Sequence, residues 1–428
     1  MNLWRGMTLI LAALALAAGA LFFFRETLVN LWIERQLASV LSAASGAKIE
    51  LHDVRWRDGI LRAGRGAISA GALPFESLEA KDLRANLGWK QLLEPLSQSL
   101  HVEIGEAELV LKSAETAPDK QTGSAAEKST MQDLDLLVAK LTVRISGDAA
   151  GWALLDTSAR AVQTQGVWSF SARDGKVARE GLPALELERV SATHNGSGWN
   201  IGGFALRDGP TGALAGSAAN ESGAWSGEFS WQDLDASRIL PGRSAAYLAG
   251  RMSGDATLRD GVLRGKTKLS GASVEKVPQM VQMASLFVGE NWDRVPWDVF
   301  RFEFTRTADG RVEFEKLEAV SPKGIALHGK GHYAPDSVTA DLQLGVSGEN
   351  RPWLVAFVPS IFRAQKSGYF WTTVRVSGTP EAPVEDLTAR LATAAATVPA
   401  AAAVEAAAEI PGAAVEAADG LLRSLIGR

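Results

Sequence analysis

The sequence predicts a mainly β protein held at a membrane by one N-terminal helix. Three observations carry this: an uncharged apolar run of eighteen residues from Met7 to Phe24, a period of two in the apolar residues from about Lys48 onward, and breaks at Gly, Asp-Gly or Pro every eight to twelve residues.

The run MTLILAALALAAGALFFF is bounded by Arg5 and by Arg25-Glu26 and is just long enough for a helix to cross the hydrocarbon of a bilayer. The alternative is a cleaved signal peptide, suggested by the small residues Ala17, Ala18 and Ala20. Against it, the run continues through Leu21-Phe22-Phe23-Phe24, where a cleavage site turns polar. Arg5 and the free amine favour a cytoplasmic N-terminus, and Arg25 and Arg35 weigh the other way. The expected parts are an anchor over 1–25 and a juxtamembrane helix over 26–47. In that helix Leu28, Leu31, Trp32, Leu37, Val40 and Leu41 fall near helical spacing, with Gly46 as the stop.

From Lys48 the alternation becomes that of antiparallel strands joined by tight turns, with Asp58-Gly59, Asp174-Gly175, Asp260-Gly261 and Asp309-Gly310 as turn signals. Phe300, Phe302 and Phe304 fall on one face of a strand and Arg301, Glu303 and Thr305 on the other. The same split marks Leu109 and Leu111, Leu185 and Leu187, Phe229 and Trp231, Val312 and Phe314, Val374 and Val376, and Leu342, Leu344 and Val346. Strands with one wet face cover a core, or a ligand, on one side only.

A first β segment over 48–112 ends at a polar, aperiodic stretch, 113–131, read as a disordered linker or insertion. The main β body follows over 132–391, interrupted near Val274–Val288 by a return to helical spacing with Pro278 in the first turn. An Ala-rich helical tail over 392–428 ends in the amphipathic LLRSLIGR. Self-similarity is faint: Leu73-Pro74-Phe75 and Leu182-Pro183-Ala184 each read as turn then strand, and EFEKLEAVSPKGIALHGKGHY repeats the idea with Gly324 and Gly329 as breaks.

Composition excludes several functions. With 44 basic and 49 acidic residues the net charge is −5, so no basic field exists to hold nucleic acid. Cysteine is absent, which removes disulfides, thiolate zinc sites and a thiol nucleophile. No Walker loop, G-x-S-x-G, H-E-x-x-H or G-x-G-x-x-G motif is present, and no catalytic residue, metal or cofactor is expected. His328 and His332 point the same way on a strand, but Gly329 and Gly331 between them fit a glycine-broken strand with surface histidines better than a metal site. Glu313 with Glu315, and Glu186 with Glu188, have the spacing of a solvated strand face. The thirteen tryptophans read as core or strand-edge residues.

The stretch LHDVRWRDGILRAGRGAISAGALPFESLEAKDLRANLGWKQLL, coming after an anchor and a short helix, resembles the opening of AsmA-like envelope proteins. The segment from Val295 to Val346 resembles their C-terminal region, with Val376-Ser377-Gly378-Thr379-Pro380 and Pro383 similar to its closing element. The likeness covers both ends of the chain and the middle only in general character. It implies a long, curved antiparallel sheet folded as a trough, of the kind in bridge-like lipid transfer proteins including TamB-type relatives. It also implies a body in the bacterial periplasm, anchored in the inner membrane. The apolar face would carry phospholipid, and the fourteen alternating residues from Leu109 to Val346 named above are the candidate groove lining. Roughly twenty-five strands at ~4.8 Å would give at most ~120 Å of trough, so a short member would carry lipid part way or with an envelope partner at the outer membrane. The competing reading is a structural or assembly factor for outer-membrane biogenesis, with the same face filled by its own side chains.

Overall fold

A computed structural model describes residues 30–39, 42, 48–69, 75–86, 100–111, 134–145, 151–164, 167–180, 182–195, 198–221, 224–239, 248–275, 294–347, 361–380 and 382–397. The expected anchor over 1–25, the linker over 113–131, the helix at 274–288 and the Ala-rich tail over 392–428 lie outside these residues, apart from Val274 and Glu275 at the end of a strand and 392–397 at the end of a helix. Among the described residues no helix is long and apolar enough to cross a membrane.

The described chain is mainly β, as the alternation requires, and falls into two compact units. Unit 1 is Met1–Glu180 with Ala184–Gly202, and unit 2 is Gly181–Pro183 with Gly203–Arg428.

The strands of unit 1 are β1 (Lys48–His52), β2 (Arg55–Arg57), β3 (Ile60–Ser69), β4 (Phe75–Asn86), β5 (Leu100–Leu111), β6 (Leu134–Ile145), β7 (Trp152–Thr164), β8 (Val167–Arg179), most of β9 (Leu182–His194) and the start of β10 (Gly198–Asp208). β3 to β8 pair in sequence order, and β1 and β2 share the outer edge of β3. The expectation of an antiparallel sheet is corrected at one place: β5 and β6 are parallel, Leu100 opposite Leu134 through Leu111 opposite Ile145. A parallel pair needs a crossover, and the 22 residues from 112 to 133 are long enough to supply one.

A line of irregularities crosses these strands at one level. Asp53, Asp82, Asp156 and Asp174 all have φ between 53° and 59°, and ladder pairs are lost beside them. The facing strands make room with glycine: a Cβ at Gly64 would lie 3.1 Å from that of Asp53, and one at Gly105 would lie 2.9 Å from that of Asp82. Asp174-Gly175, expected as a hairpin turn, is part of this line within β8, where Gly175 leaves space for Thr157. The other three Asp-Gly pairs are turns. Along this line the register shifts, as in a bulge, only between β6 and β7; on β4 and β8 the ladder loses pairs and resumes in the same register.

The N-terminal helix (30–39) seats Ile33 and Leu37, one turn apart and at most 5 % exposed, on Val54, Ala63 and Ala85. Burial of each side chain stabilises by about 1.5–3 kcal/mol. Leu31 and Trp32, two of the apolar residues read at helical spacing, are 46 % and 48 % exposed, because the Ile33–Leu37 stripe faces the sheet and they flank it.

Unit 2 continues with β11 (Gly212–Glu221), β12 (Ala224–Asp235), β13 (Leu248–Arg259), β14 (Val262–Glu275), β15 (Arg294–Trp297), β16 (Val299–Arg306), β17 (Val312–Ser321), β18 (Ile325–Ala334), β19 (Ser337–Ser347), β20 (Ala364–Lys366), β21 (Tyr369–Thr379) and β22 (Ala382–Glu385). The antiparallel ladder runs β11–β12–β13–β14–β16–β17–β18–β19–β21. β15 shares the edge of β14 with β16, and β20 and β22 share the outer edge of β21. Gly324 lies in a turn as expected, but Gly329 is in mid-strand, where Leu342 packs across it. The C-terminal helix Leu387–Thr397 places Leu387, Leu391 and Ala394 in a cluster with Val346, Val374, Trp297 and Phe362. Its first turn is capped by Glu385, which accepts from the Thr388 amide at 3.0 Å.

Candidate functional site

The registers of unit 1 resolve into apolar rows that cross from strand to strand. One row reads Trp56, Leu61, Ala85, Val102, Leu136, Ala161, Phe170. Beside it run Ala63, Leu83, Ile104, Val138, Ala159 and Ala172. Beyond the line of bulges come Ile68, Leu78, Leu109, Val143, Leu154 and Val177.

At the β1–β5 side these rows meet the N-terminal helix. From β6 to β8 they continue through Leu136, Val138, Leu141, Val143, Leu154 and Phe170, all half-buried, and none of them joins a buried cluster of the described residues.

The opposite face is charged and paired across the strands. Lys81 donates to Glu106 at 3.1 Å, Arg144 to Glu108 at 2.9 Å, and Lys140 lies 3.3 Å from Asp156. Asp135 receives the Arg160 guanidinium at 2.8 and 3.0 Å and lies 3.1 Å from His101 Nδ1. The Arg160 hydrogen bond holds the Asp135 carboxyl below its ordinary range, partial burial opposes this, and His101 adds to the lowering. The unit 1 sheet is therefore amphipathic, with charges, several of them paired across the strands, on one face and apolar rows on the other.

Unit 2 builds its apolar face differently. Phe229 lies over Gly216, Trp231 over Gly254, Phe304 over Gly265 and Phe314 over Gly331. A Cβ at Gly216, Gly254 or Gly265 would come within 2.8, 2.7 and 2.8 Å of the ring that covers it. Large rings laid over glycines flatten the surface, and they touch in turn: Phe204 and Phe229 at 6.2 Å, Trp231 and Phe304 at 6.3 Å, Phe302 and Phe304 at 6.4 Å, Phe300 and Phe302 at 6.3 Å. Trp231 hides its one polar atom by donating to Thr267 Oγ1 at 3.4 Å.

The residues expected as groove lining thus divide. Leu109 and Leu111 lie on the apolar face of unit 1. Leu185 and Leu187 alternate with the exposed Glu186 and Glu188, and Leu187 is buried. Phe229, Trp231, Phe304 and Phe314 form the glycine-seated surface, with Val312 next to Phe314 on the same face. Phe300, Phe302 and Leu342 pack against the cluster that buries Leu344 and Val346, which are 7 % and 0 % exposed.

The alternation had not singled out Leu136, Val138, Leu141 or Val143. In LDLLVAKLTVRI the irregularity at Ala139 and Lys140 shifts the period by one, so Leu134, Leu136 and Val138 share a face with Leu141, Val143 and Ile145 only when that step is allowed. Of the described tryptophans only Trp297 is buried, whereas Trp152, Trp199 and Trp225 are exposed.

His328 and His332 lie on the charged side of β18, paired in register with Gln343 and Thr339. Four strand positions separate them by about 13 Å, too far to share a metal ion. The His328 ring instead lies 4.8 Å from Trp371, at a depression of about 770 Å³ that Arg363, Lys366 and Arg390 also line. No group of three His, Asp or Glu residues among those described is placed to hold a metal.

No family model matches the chain, and no curated protein matches it.

Proposed function

We propose that this chain is an AsmA-like protein of the bacterial envelope, anchored in the inner membrane with its body in the periplasm. On this reading its amphipathic β-sheets shelter the acyl chains of phospholipid in transit or in storage, and it is not an enzyme. The observation that supports this best is the set of apolar rows continuing through β6, β7 and β8 with half-buried side chains that, among the described residues, join no buried cluster. Acyl chains leaving a bilayer need such a lining, since each methylene removed from water is worth about 0.8 kcal/mol. The bulge between β6 and β7 favours local bending of the sheet, which raises the contact an acyl chain makes with the face.

A specific observation favours the structural reading for part of the chain. Unit 2 fills its own face around Val346, Val374 and Phe362 with the C-terminal helix over it. One experiment separates the readings. A photo-crosslinking diazirine residue is placed at Leu141, at Leu344, or at Leu137, which points to the charged side and is 40 % exposed. Irradiation in cells fed a radiolabelled phospholipid precursor should give lipid adducts at Leu141 and none at Leu137. Adducts at neither position, with the protein folded, would leave the assembly-factor reading.

A further inference from the structure

Three features of unit 1 converge on one end of its sheet. The first is where the chain enters. Asn30 Oδ1 accepts from the Trp56 amide at 3.2 Å, beside the β2–β3 turn, whereas Ser42 Oγ accepts from the Ile49 amide at the opposite end of the strands. Phe24, the last residue of the apolar run, is six residues before Asn30 and so lies within about 20 Å of this end.

The second is the exposure of Leu31 and Trp32 beside that entry point. The third lies further along the same end. Phe170 is in the same cross-strand row as Trp56, and Thr164 and Val167, and Asn195 and Gly198, all at or beside strand ends, lie here. Trp168 and Phe170 stack at 5.8 Å, Phe170 and Trp199 lie 5.3 Å apart, and His194 stacks on Trp199 at 4.7 Å. Val167 and Trp199 are each 41 % exposed.

In a chain that is 22 % charged, residues 161–172 and 190–202 contain no Asp, Glu, Lys or Arg. The far end of the same strands differs: Trp152 is covered by the Arg179 guanidinium at 5.3 Å, and Glu180 follows. Exposed tryptophans with an uncharged, hydroxyl- and amide-bearing surround suit the headgroup region of a bilayer, where a buried charge would be costly.

We propose that this end of unit 1 docks on a lipid bilayer surface, with Leu31 and Trp32 near the anchor and Val167, Trp168 and Trp199 as a second contact. The inference rests on reading Met7–Phe24 as a membrane anchor. Trp168 on β8 is six strand spacings from Trp56 on β2, at most about 29 Å, enough to fix the direction in which the strands leave the membrane. The apolar row from Trp56 to Phe170 then lies along the headgroups, and the rows beyond it stand one behind another away from the bilayer.

The absence of cysteine gives a direct test. The full-length chain carrying Val167→Cys, Thr164→Cys or Trp152→Cys is spin-labelled and reconstituted in phosphatidylethanolamine–phosphatidylglycerol vesicles. Accessibility of the label to oxygen and to a water-soluble nickel chelate is then compared. The expected result is a several-fold higher oxygen-to-nickel ratio at 167 and 164 than at 152. Two exposed positions on the same turn keep the test alive if one variant misfolds. A ratio at 167 and 164 as low as at 152 overturns the proposal. So does protection from both agents, which would assign the surface to a protein partner. Because lipid adducts at Leu141 are read separately, docking without adducts would sink the transport reading alone, and adducts without docking would sink this one.

Discussion

Whether the apolar face of unit 1 is open or packed can be read from the cost of a polar substitution. Leu344 is 7 % exposed among Val346, Val374, Leu387 and Phe362, so Leu344→Asn loses its burial and strands an amide. Burial of a leucine is worth about 1.5–3 kcal/mol and an unsatisfied amide costs about 1–3 kcal/mol, giving a loss of about 4 kcal/mol. Leu136 sits in the row between Val102 and Ala161 and is only half-buried. Leu136→Asn keeps its amide within reach of water or a headgroup and should cost about 1 kcal/mol. Leu137→Asn, on the charged face, should change stability by less than about 0.5 kcal/mol. Urea unfolding of the full-length chain in non-ionic detergent, followed by tryptophan fluorescence and far-UV circular dichroism, gives the three values. A cost at Leu136 equal to that at Leu344 would mean that the unit 1 face is a packed core, and the reasoning that makes it a lipid surface would fail.

Three further outcomes are expected. Asp135→Asn should lower stability at neutral pH by about 0.5 kcal/mol, the scale of a solvent-screened pair. Because the folded-state carboxyl is held below its ordinary range, that contribution is fully present above the ordinary carboxylate value and disappears as pH falls through the lowered one. Urea midpoints of wild type and variant should therefore converge in acid, and a gap independent of pH would refute the ion pair as its source. Gly105→Ala puts a Cβ 2.9 Å from that of Asp82 and should cost about 1–3 kcal/mol by thermal unfolding, while Asp82→Gly, at φ 54°, should be neutral or stabilising. Asp208, 2 % exposed, pairs with Arg238 and accepts from the Asp235 amide at 3.0 Å. Arg238→Ala leaves that carboxylate without its cation and should destabilise by about 3 kcal/mol, where Asp336→Ala in an exposed turn should not.

The strand content was legible because period two survives wherever one face is apolar, as in β16, where Phe300, Phe302 and Phe304 keep to one side despite a register shift at Arg301. Turn chemistry located three hairpins by their Asp-Gly pairs. It failed at Asp174-Gly175 because the same dipeptide serves a local break in the pairing within β8, and only the facing Thr157 tells the two apart. An αL aspartate in mid-strand, such as Asp82 or Asp156, reads in sequence as an ordinary outward polar residue. The direction of β6 was hidden because the polar stretch before it carries no signal of a crossover. The glycines beneath Phe229, Trp231, Phe304 and Phe314 look like strand breakers, but they belong to the next strand and become meaningful only in register.

An amphipathic sheet with a free apolar face invites association through its edges, and both units limit this in the same manner. The outer edge of β3 is divided between β1 and β2, five and three residues long, with Asp53 at φ 59° breaking the chain between them. The outer edge of β21 is divided between β20 and β22, three and four residues long, and β22 carries Pro383. Arg390 donates to the Thr373 carbonyl in the gap that these two leave. Short, interrupted and proline-bearing strands are poor templates for a further strand. With hydrogen bonding at these edges blocked, the attraction left to the sheets lies in their faces. In unit 1 that is the apolar face, which on the reading proposed above acyl chains would cover, whereas unit 2 covers its own with the C-terminal helix.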